Sequence, residues 1–386
     1  MRYLITTAND SINVSKFMKD GTEFEIVIFW ENSEEAVEVD NIRPEDTAVI
    51  AIKDGHTGEL VFRVLKQNGI PDDNIVDFYM IFDLYIPAMT ADRVMANPFY
   101  REYNGIILGL SHAEVGFLSD NFSMPTANLA VSSQDLFYNY MSLKYVTEKY
   151  PEKLKDVKYI IIDMYKYNYF NFDTSLSKMA IMYYSWGGFN KDPHNYGNNK
   201  NFKKSFEDVQ EYLFALRTKR ITQRTMEIWD EMFSFNVDSI NKETFSAYYK
   251  SCDRSGVLTD ADIEKYNYAP SNVVVRHEDT INENKKWFRE IISYAKETFP
   301  GVKIYVIQMP MYEGGWIRSE KTYGLWKKDF EDIIRNTQKD LEFEYADMTC
   351  HPISRERNCW QDIEHLNYYG SIRFTSEINS KISINS

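Results

Sequence analysis

Residues 105–135 read GIILGLSHAEVGFLSDNFSMPTANLAVSSQD, and the fold class turns on what they form. The stretch holds two short apolar runs, Ile106-Ile107-Leu108 and Leu129-Ala130-Val131. Small polar residues close each: Gly109-Leu110-Ser111-His112 after the first, Ser132-Ser133-Gln134 after the second. Apolar runs of this length are expected to be buried strands with a loop at the carboxyl end. In an α/β protein chemistry is built at that end, because the sheet fixes the backbone while the loop presents side chains. Ser111 is therefore the first candidate nucleophile. A plain strand-to-helix turn capped by serine would look the same, so the stretch alone does not decide between them.

Downstream, Leu136, Tyr140, Leu143 and Val146 stripe an amphipathic helix from Asp135 to Tyr150, which Pro151 ends. Residues 157–163, VKYIIID, are too apolar to be anything but a central strand. The alternation then breaks. From about 164 to 271 the chain is aromatic and polar, with an Asn- and Gly-rich loop at 195–199 and helical segments around 205–217, 221–234 and 241–251. It resumes with a helix at 284–299, a strand at 302–307, a helix at 322–338, a short strand at 343–345 and a last helix at 367–383. Five strands alternating with helices imply an α/β fold of three layers, α/β/α, around a mostly parallel sheet. The interruption, at about 165–271, reads as a helical insertion over the carboxyl ends of the strands, a lid or an oligomer contact. Residues 1–90 make a separate small α/β unit, with strands at 3–5, 24–29, 47–52 and 75–79 and a helix over GELVFRVLKQNGI. It has neither G-x-G-x-x-G nor a Walker A pattern, so a tight turn without a ligand, a degenerate Rossmann-like fold used for assembly and a nucleotide or nucleotide-sugar site stand side by side.

Composition excludes more than it assigns. With 386 residues, 44% hydrophobic and 26% charged, the chain has ordinary globular make-up and ample core. A net charge of −14 repels nucleic acid and anionic membrane alike. No run of ~18 apolar residues marks a membrane span, and the first residues lack a basic then apolar leader, so a cytoplasmic protein is expected. Cys252, Cys350 and Cys359 are sparse and without metal-ligand spacing, which fits a reducing compartment. The basic run from Arg217 to Arg224 reads as a solvated helix end, with a phosphate-bearing ligand as the alternative. Asp253-Arg254-Ser255-Gly256 carries its glycine two positions early for a calcium loop.

Just before the last helix the chain reads Trp360-Gln361-Asp362-Ile363-Glu364-His365-Leu366-Asn367. Asp362 and His365 are three apart, so on a turn they share a side. That suits an orienting pair, in which the carboxylate keeps one imidazole nitrogen protonated and the other nitrogen serves a serine as base. D-x-x-H is common by chance; its weight comes from the serine expected at the same edge of the sheet. Asn367 is expected to cap the final helix, with Ile372, Phe374, Ile378 and Ile382 turned inward.

With these residues in view, the chain from about 104 to 383 resembles the SGNH (GDSL-like) hydrolase family, of the polysaccharide-modifying type. Gly109-Leu110-Ser111 is similar to its G-D-S block, Asn128 to Ser133 to its second block, and Asp362 to Asn367 to its D-x-x-H-L-N end. The resemblance implies Ser111 as nucleophile, His365 as base and Asp362 as its orienter. It also implies an oxyanion hole from the N–H groups of Ser111 and Ser133, with Asn168 as amide donor or Tyr165 or Tyr167 in its place. Leu110 departs from the family Asp, and Ser133 stands where a glycine is usual, which costs backbone freedom. His112 and Tyr165 are the candidate substrate contacts; His112 could equally pack the turn. The implied function is a serine-dependent acyl-ester hydrolase or O-acyltransferase acting on a carbohydrate in bacterial surface-polysaccharide biosynthesis, needing no metal and no cofactor. The partner is then a carbohydrate or acylated small molecule, with a homo-oligomer left open. Two other functions compete: a non-catalytic glycan-binding or scaffold protein on the same fold, and nucleotide-sugar binding by residues 1–90.

Overall fold

The computed structural model describes residues 2–7, 14, 18–29, 42–52, 55–78, 87–95, 97, 100–177, 194, 222–233, 256–268 and 275–385. The chain forms two compact units: Met1–Tyr85 with Ala96–Pro98 and Lys204–Ser251, and Ile86–Met95 with Phe99–Lys203 and Cys252–Ser386.

In the first unit, strands β1 (Arg2–Thr6), β2 (Glu25–Ile28), β3 (Thr47–Ala51) and β4 (Ile75–Asp77) form a parallel sheet in the order β2-β1-β3-β4, with helix α1 (Gly55–Gln67) between β3 and β4. Ile5 and Ile50 on the strands pack with Val61 and Leu65 of α1. Of the stretch expected to be an insertion of the C-terminal domain, Lys204–Ser251 groups with this unit instead. Its described helix, Gln223–Met232, explains why: Phe78, next to β4, lies 5.0 Å from both Trp229 and Phe233, so these rings cover one another. Thr222 and Thr225 close a reciprocal capping box at its start. The expected helices around 205–217 and 241–251, the loop at 195–199, Arg217 to Ile221 of the basic run and residues 253–255 lie outside the described residues.

The second unit begins with α2 (Pro87–Met95) and continues through β5 (Gly105–Leu108), α3 (Ser111–Gly116), β6 (Thr126–Asn128), α4 (Leu136–Lys149) and β7 (Tyr159–Asp163). After it come α5 (Asp260–Tyr268), α6 (Glu278–Thr298), β8 (Lys303–Gln308), α7 (Glu313–Gln338), β9 (Glu344–Asp347) and α8 (Tyr368–Asn385). All five strands run parallel in the order β6-β5-β7-β8-β9. Successive side chains on each strand feed opposite layers. Ile106, Leu108, Ile160, Ile162, Ile304 and Val306 join the core under α4 and α6, while Ile107, Ile161, Tyr305 and Ile307 join Ala113 of α3 and Phe374, Ile378 and Ile382 of α8. Every residue of β5 and β7 is buried, as parallel strands covered on both faces must be. The architecture is the α/β/α sandwich expected from the sequence.

One strand is displaced from its expected position. β6 is Thr126–Asn128, not Leu129–Val131. Asn128 marks its end: its Nδ2 donates to the carbonyls of Ala113 and Phe117 at 3.0 and 3.1 Å, and its Oδ1 accepts the Ala130 N–H at 3.1 Å. The apolar run beyond it still follows β5, because the Leu129 N–H donates to Ile107 O and the Val131 N–H to Gly109 O. Among the described residues no helix is long and apolar enough to cross a membrane.

Candidate active site

β5 is the first strand of its sheet, and later strands are added on both sides of it. The carboxyl ends of β5 and β7 therefore flank the topological switch point, where open parallel sheets leave a crevice. Gly109 follows β5 and passes so close to β7 that a Cβ there would sit 2.6 Å from Asp163 Cβ and 2.8 Å from Ala113 Cβ, so only glycine fits. Ser111, two residues on, is the first residue of α3. At that position its N–H lies outside the helical ladder, which begins with the Glu114 N–H on Leu110 O.

On the far side of the sequence, the 362–365 turn folds around its own aspartate. Asp362 Oδ1 accepts the N–H groups of Glu364 and His365, each at 2.8 Å. Its carboxylate also faces His365 Nδ1, 2.9 Å from Oδ2 and 3.1 Å from Oδ1. His365 Nε2 lies 2.9 Å from Ser111 Oγ. Asn367 caps α8 as expected, accepting the Gly370 N–H at 2.9 Å, while its Nδ2 donates to Asn358 O at 2.8 Å. The turn is thus anchored on both sides of the imidazole. Along α8, Phe374, Ile378 and Ile382 are buried, and Ile372 is only half-buried.

Electrostatics fit a base with an orienter. Burial opposes charge on His365, but the hydrogen bond and charge of Asp362, with Glu364 helping and Lys166 opposing, raise its pKa above 6.5. Burial likewise opposes charge on Asp362, and the His365 contacts outweigh it, so that carboxylate sits below 3.8. Lys166, its side chain 4% exposed, pairs through Nζ with Glu364 Oε1 at 2.5 Å and ties the turn to the loop after β7.

Around this line of three lie the other expected residues. His112 is buried, its ring 4.6 Å from His365 and 4.4 Å from Tyr165. Neither of its nitrogens has a hydrogen-bond partner, and burial, then the charges of His365 and Lys166, holds its pKa well below 6.5. It is a neutral imidazole between two rings. Tyr165 takes a left-handed backbone, φ 54°, held by its N–H on Asp163 Oδ1 at 2.7 Å. Ser133 is also left-handed, φ 62°, so the serine adopts the conformation for which glycine is usual. Ser177 Oγ donates to its hydroxyl and Thr174 Oγ1 to its carbonyl, both at 2.8 Å. Ser132 Oγ donates to Glu114 Oε2 at 2.7 Å, which fastens the second strand tip to α3. Asn168 precedes a short 3-10 turn at Tyr169–Asn171; its Oδ1 is buried without a partner, and among the described residues it shares no hydrogen bond with Ser111 or His365.

Asp163, Lys166 and Glu364 were not singled out in the sequence. An acid ending a buried strand and a lysine three residues later were the available signals. Among the described residues, Asp135, Asp173 and His194 are the group whose spacing would admit a metal ion, within 4.8 Å of one another. Their atoms are engaged already: Asp135 accepts the N–H groups of Tyr138 and Thr174, Asp173 that of Ser175, and His194 faces Glu283 at 2.8 Å. Burial opposes charge on His194, but Asp135 and Glu283 lift its pKa to about 10. A histidine cation closing a carboxylate clasp accounts for the group.

No family model matches the chain, and no curated protein does. Among solved structures, one from Streptococcus pneumonia described as "a putative platelet activating factor" is similar over 79% of this chain and 95% of its own, at 11% identity and a TM-score of 0.38. A likeness so faint assigns no chemistry.

Proposed function

We propose that the second unit is a serine-dependent acyl-ester hydrolase or O-acyltransferase of SGNH type, acting on an acylated carbohydrate such as those of bacterial surface polysaccharides. One observation carries the reading: Ser111 Oγ, His365 Nε2, His365 Nδ1 and Asp362 Oδ2 form a continuous line with gaps of 2.9 Å at each hydrogen bond. In this reaction Ser111 Oγ attacks the ester carbonyl as its proton passes to His365 Nε2, and Asp362 stabilises the imidazolium. The oxyanion would accept the N–H groups of Ser111 and Ser133, donors whose loss typically costs about 100-fold or more. Collapse returns the proton to the departing alkoxide and leaves an acyl-serine. Water or a sugar hydroxyl, deprotonated by His365, then takes the acyl group. The carbohydrate part is supported by Tyr368, which follows the 362–365 turn with 56% of its surface exposed and offers a ring on which a sugar could stack; the Tyr369 ring beside it is taken by Arg373, 5.7 Å from its centroid.

Labelling of the whole protein with a fluorophosphonate tests the reading. The wild type is expected to react at one site and Ser111→Ala not at all, with esterase activity on acetylated sugars lost in parallel. An unreactive wild type, or activity untouched in Ser111→Ala, overturns it.

A further inference from the structure

We infer that Asp163 is a positioning residue for Ser111, supplying from β7 the acceptor that caps the nucleophile helix. The inference rests on the reading of Ser111 as nucleophile. The residue at the N-cap of α3 is Leu110, which makes no side-chain cap, since it has no oxygen to offer. In the family that the sequence resembles, an acid occupies that position. Here the acid comes from the neighbouring strand. Asp163 is fully buried at the end of β7, directly under Gly109. Its Oδ1 accepts the Tyr165 N–H at 2.7 Å, and its Oδ2 completes no hydrogen bond of good geometry. The N–H groups of Leu110 and Ala113 in the nucleophile turn lie close enough to favour its charge without closing a hydrogen bond. They bracket Ser111. The missing side chain at Gly109 is what lets the carboxylate approach the turn.

A buried carboxylate without a cationic partner is costly unless N–H groups share its charge, and such a cost is retained where it positions something. Burial pushes Asp163 up to about 7, against the pull of the Tyr165, Ala113 and Leu110 N–H groups and of His365. Its hold on the turn therefore changes near neutrality: ionised, it attracts the two N–H groups; protonated, it competes as a donor. Among the described residues, the titratable groups facing this corner are His365 with Asp362 and Glu364, Lys166 on the loop after β7, which acts on His365 and His112, and Tyr169, which burial and then the charges of Asp135 and Asp163 raise well above 10. His112 is held neutral, so the titrations expected around neutrality are those of Asp163 and His365.

The experiment measures the fluorophosphonate labelling rate of Ser111 from acid to alkaline pH in the intact wild type and in Asp163→Asn, with thermal unfolding of both. Asn keeps an acceptor for Tyr165 but cannot ionise. One required ionisation changes a rate by at most about tenfold per pH unit. The wild type is expected to exceed that slope below neutrality, and Asp163→Asn to fall to it with a rate at pH 8 lower by about 10–100-fold. A wild-type slope of one ionisation overturns the inference without reference to any variant. So does Asp163→Asn labelling at the wild-type rate, or a slowed Asp163→Asn that keeps the wild-type slope, which marks a merely structural role. A wild type that does not label at any pH fails earlier, at the reading of Ser111, and takes this inference with it.

Discussion

Ser111 stands between two regions built on opposite terms. On one side is the 362–365 turn, partly solvated and rich in satisfied hydrogen bonds; Asp362 alone accepts two N–H groups and the imidazole. On the other is the floor made by the end of β7 and the start of α3, where Asp163 and His112 are buried with polar atoms unsatisfied. The same two residue types, Asp and His, are pushed in opposite directions: Asp362 down and Asp163 up to about 7, His365 up and His112 down. Opposed environments of this kind separate roles within one site. On the proposed reading the turn moves protons and the floor holds geometry.

The comparison breaks most visibly on the turn. Asp362→Asn removes the charge and presents an amide to His365 Nδ1, which favours the wrong tautomer for accepting the Ser111 proton. Labelling of Ser111 is expected to fall by about 10²–10⁴-fold. The pH profile carries the sign. Asp362 raises the His365 pKa, so its loss moves the acid limb of the labelling rate to lower pH, while the plateau drops. A loss below tenfold, with the limb unmoved, would mean that the turn does no more than the floor.

The two regions were unequally legible. Both parallel sheets follow from apolar runs such as YIIID at 159–163, and D-x-x-H-L-N named the turn because its spacing and the helix cap after it are local properties. The shift of β6 was hidden, since it depends on where the Asn128 side chain finds carbonyls on α3. In the sequence Asp163 only ends a strand; that it stands under Gly109, and that Gly109 must be glycine for it, depends on two strands lying side by side with partners 54 residues apart, such as Gly105 and Tyr159. The departure at Leu110 was visible, but its compensation was not. The grouping of 204–251 with the first unit was hidden for the same reason: an amphipathic helix at 223–232 declares an apolar face without saying which sheet will cover it.

A smaller effect is expected on the floor from His112→Phe, which keeps the ring between Tyr165 and His365 and deletes two unpartnered nitrogens. Each such atom costs roughly 1–3 kcal/mol when buried. His112 has a folded pKa below its unfolded 6.5, so the unfolded chain takes up a proton that the folded chain refuses. The stability it permits is full above 6.5 and lost as the pH falls. His365, raised, contributes in the opposite sense: full below 6.5 and lost as the pH rises through its folded pKa. Thermal unfolding should therefore show His112→Phe gaining on the wild type at pH 5 more than at pH 8, with fluorophosphonate labelling within about threefold. If labelling of this small probe is retained but turnover of an acetylated sugar collapses, His112 touches the substrate and the floor does more than hold geometry.

The smallest effect belongs to Ser133, on the second strand tip, where Thr174 and Ser177 hold it. A serine at φ 62° pays a left-handed penalty on the order of 1 kcal/mol that glycine avoids, while glycine gives up about 0.5–1 kcal/mol of chain entropy and the hydrogen bond from Ser177. These nearly cancel, so Ser133→Gly should unfold within a few degrees of the wild type. The oxyanion contact requires only the N–H, and glycine keeps it. Labelling and acyl transfer in Ser133→Gly should then stay within about threefold of the wild type. A drop of 100-fold with unchanged unfolding would show instead that the Ser133 hydroxyl, braced by Ser177, belongs to the reacting side of Ser111.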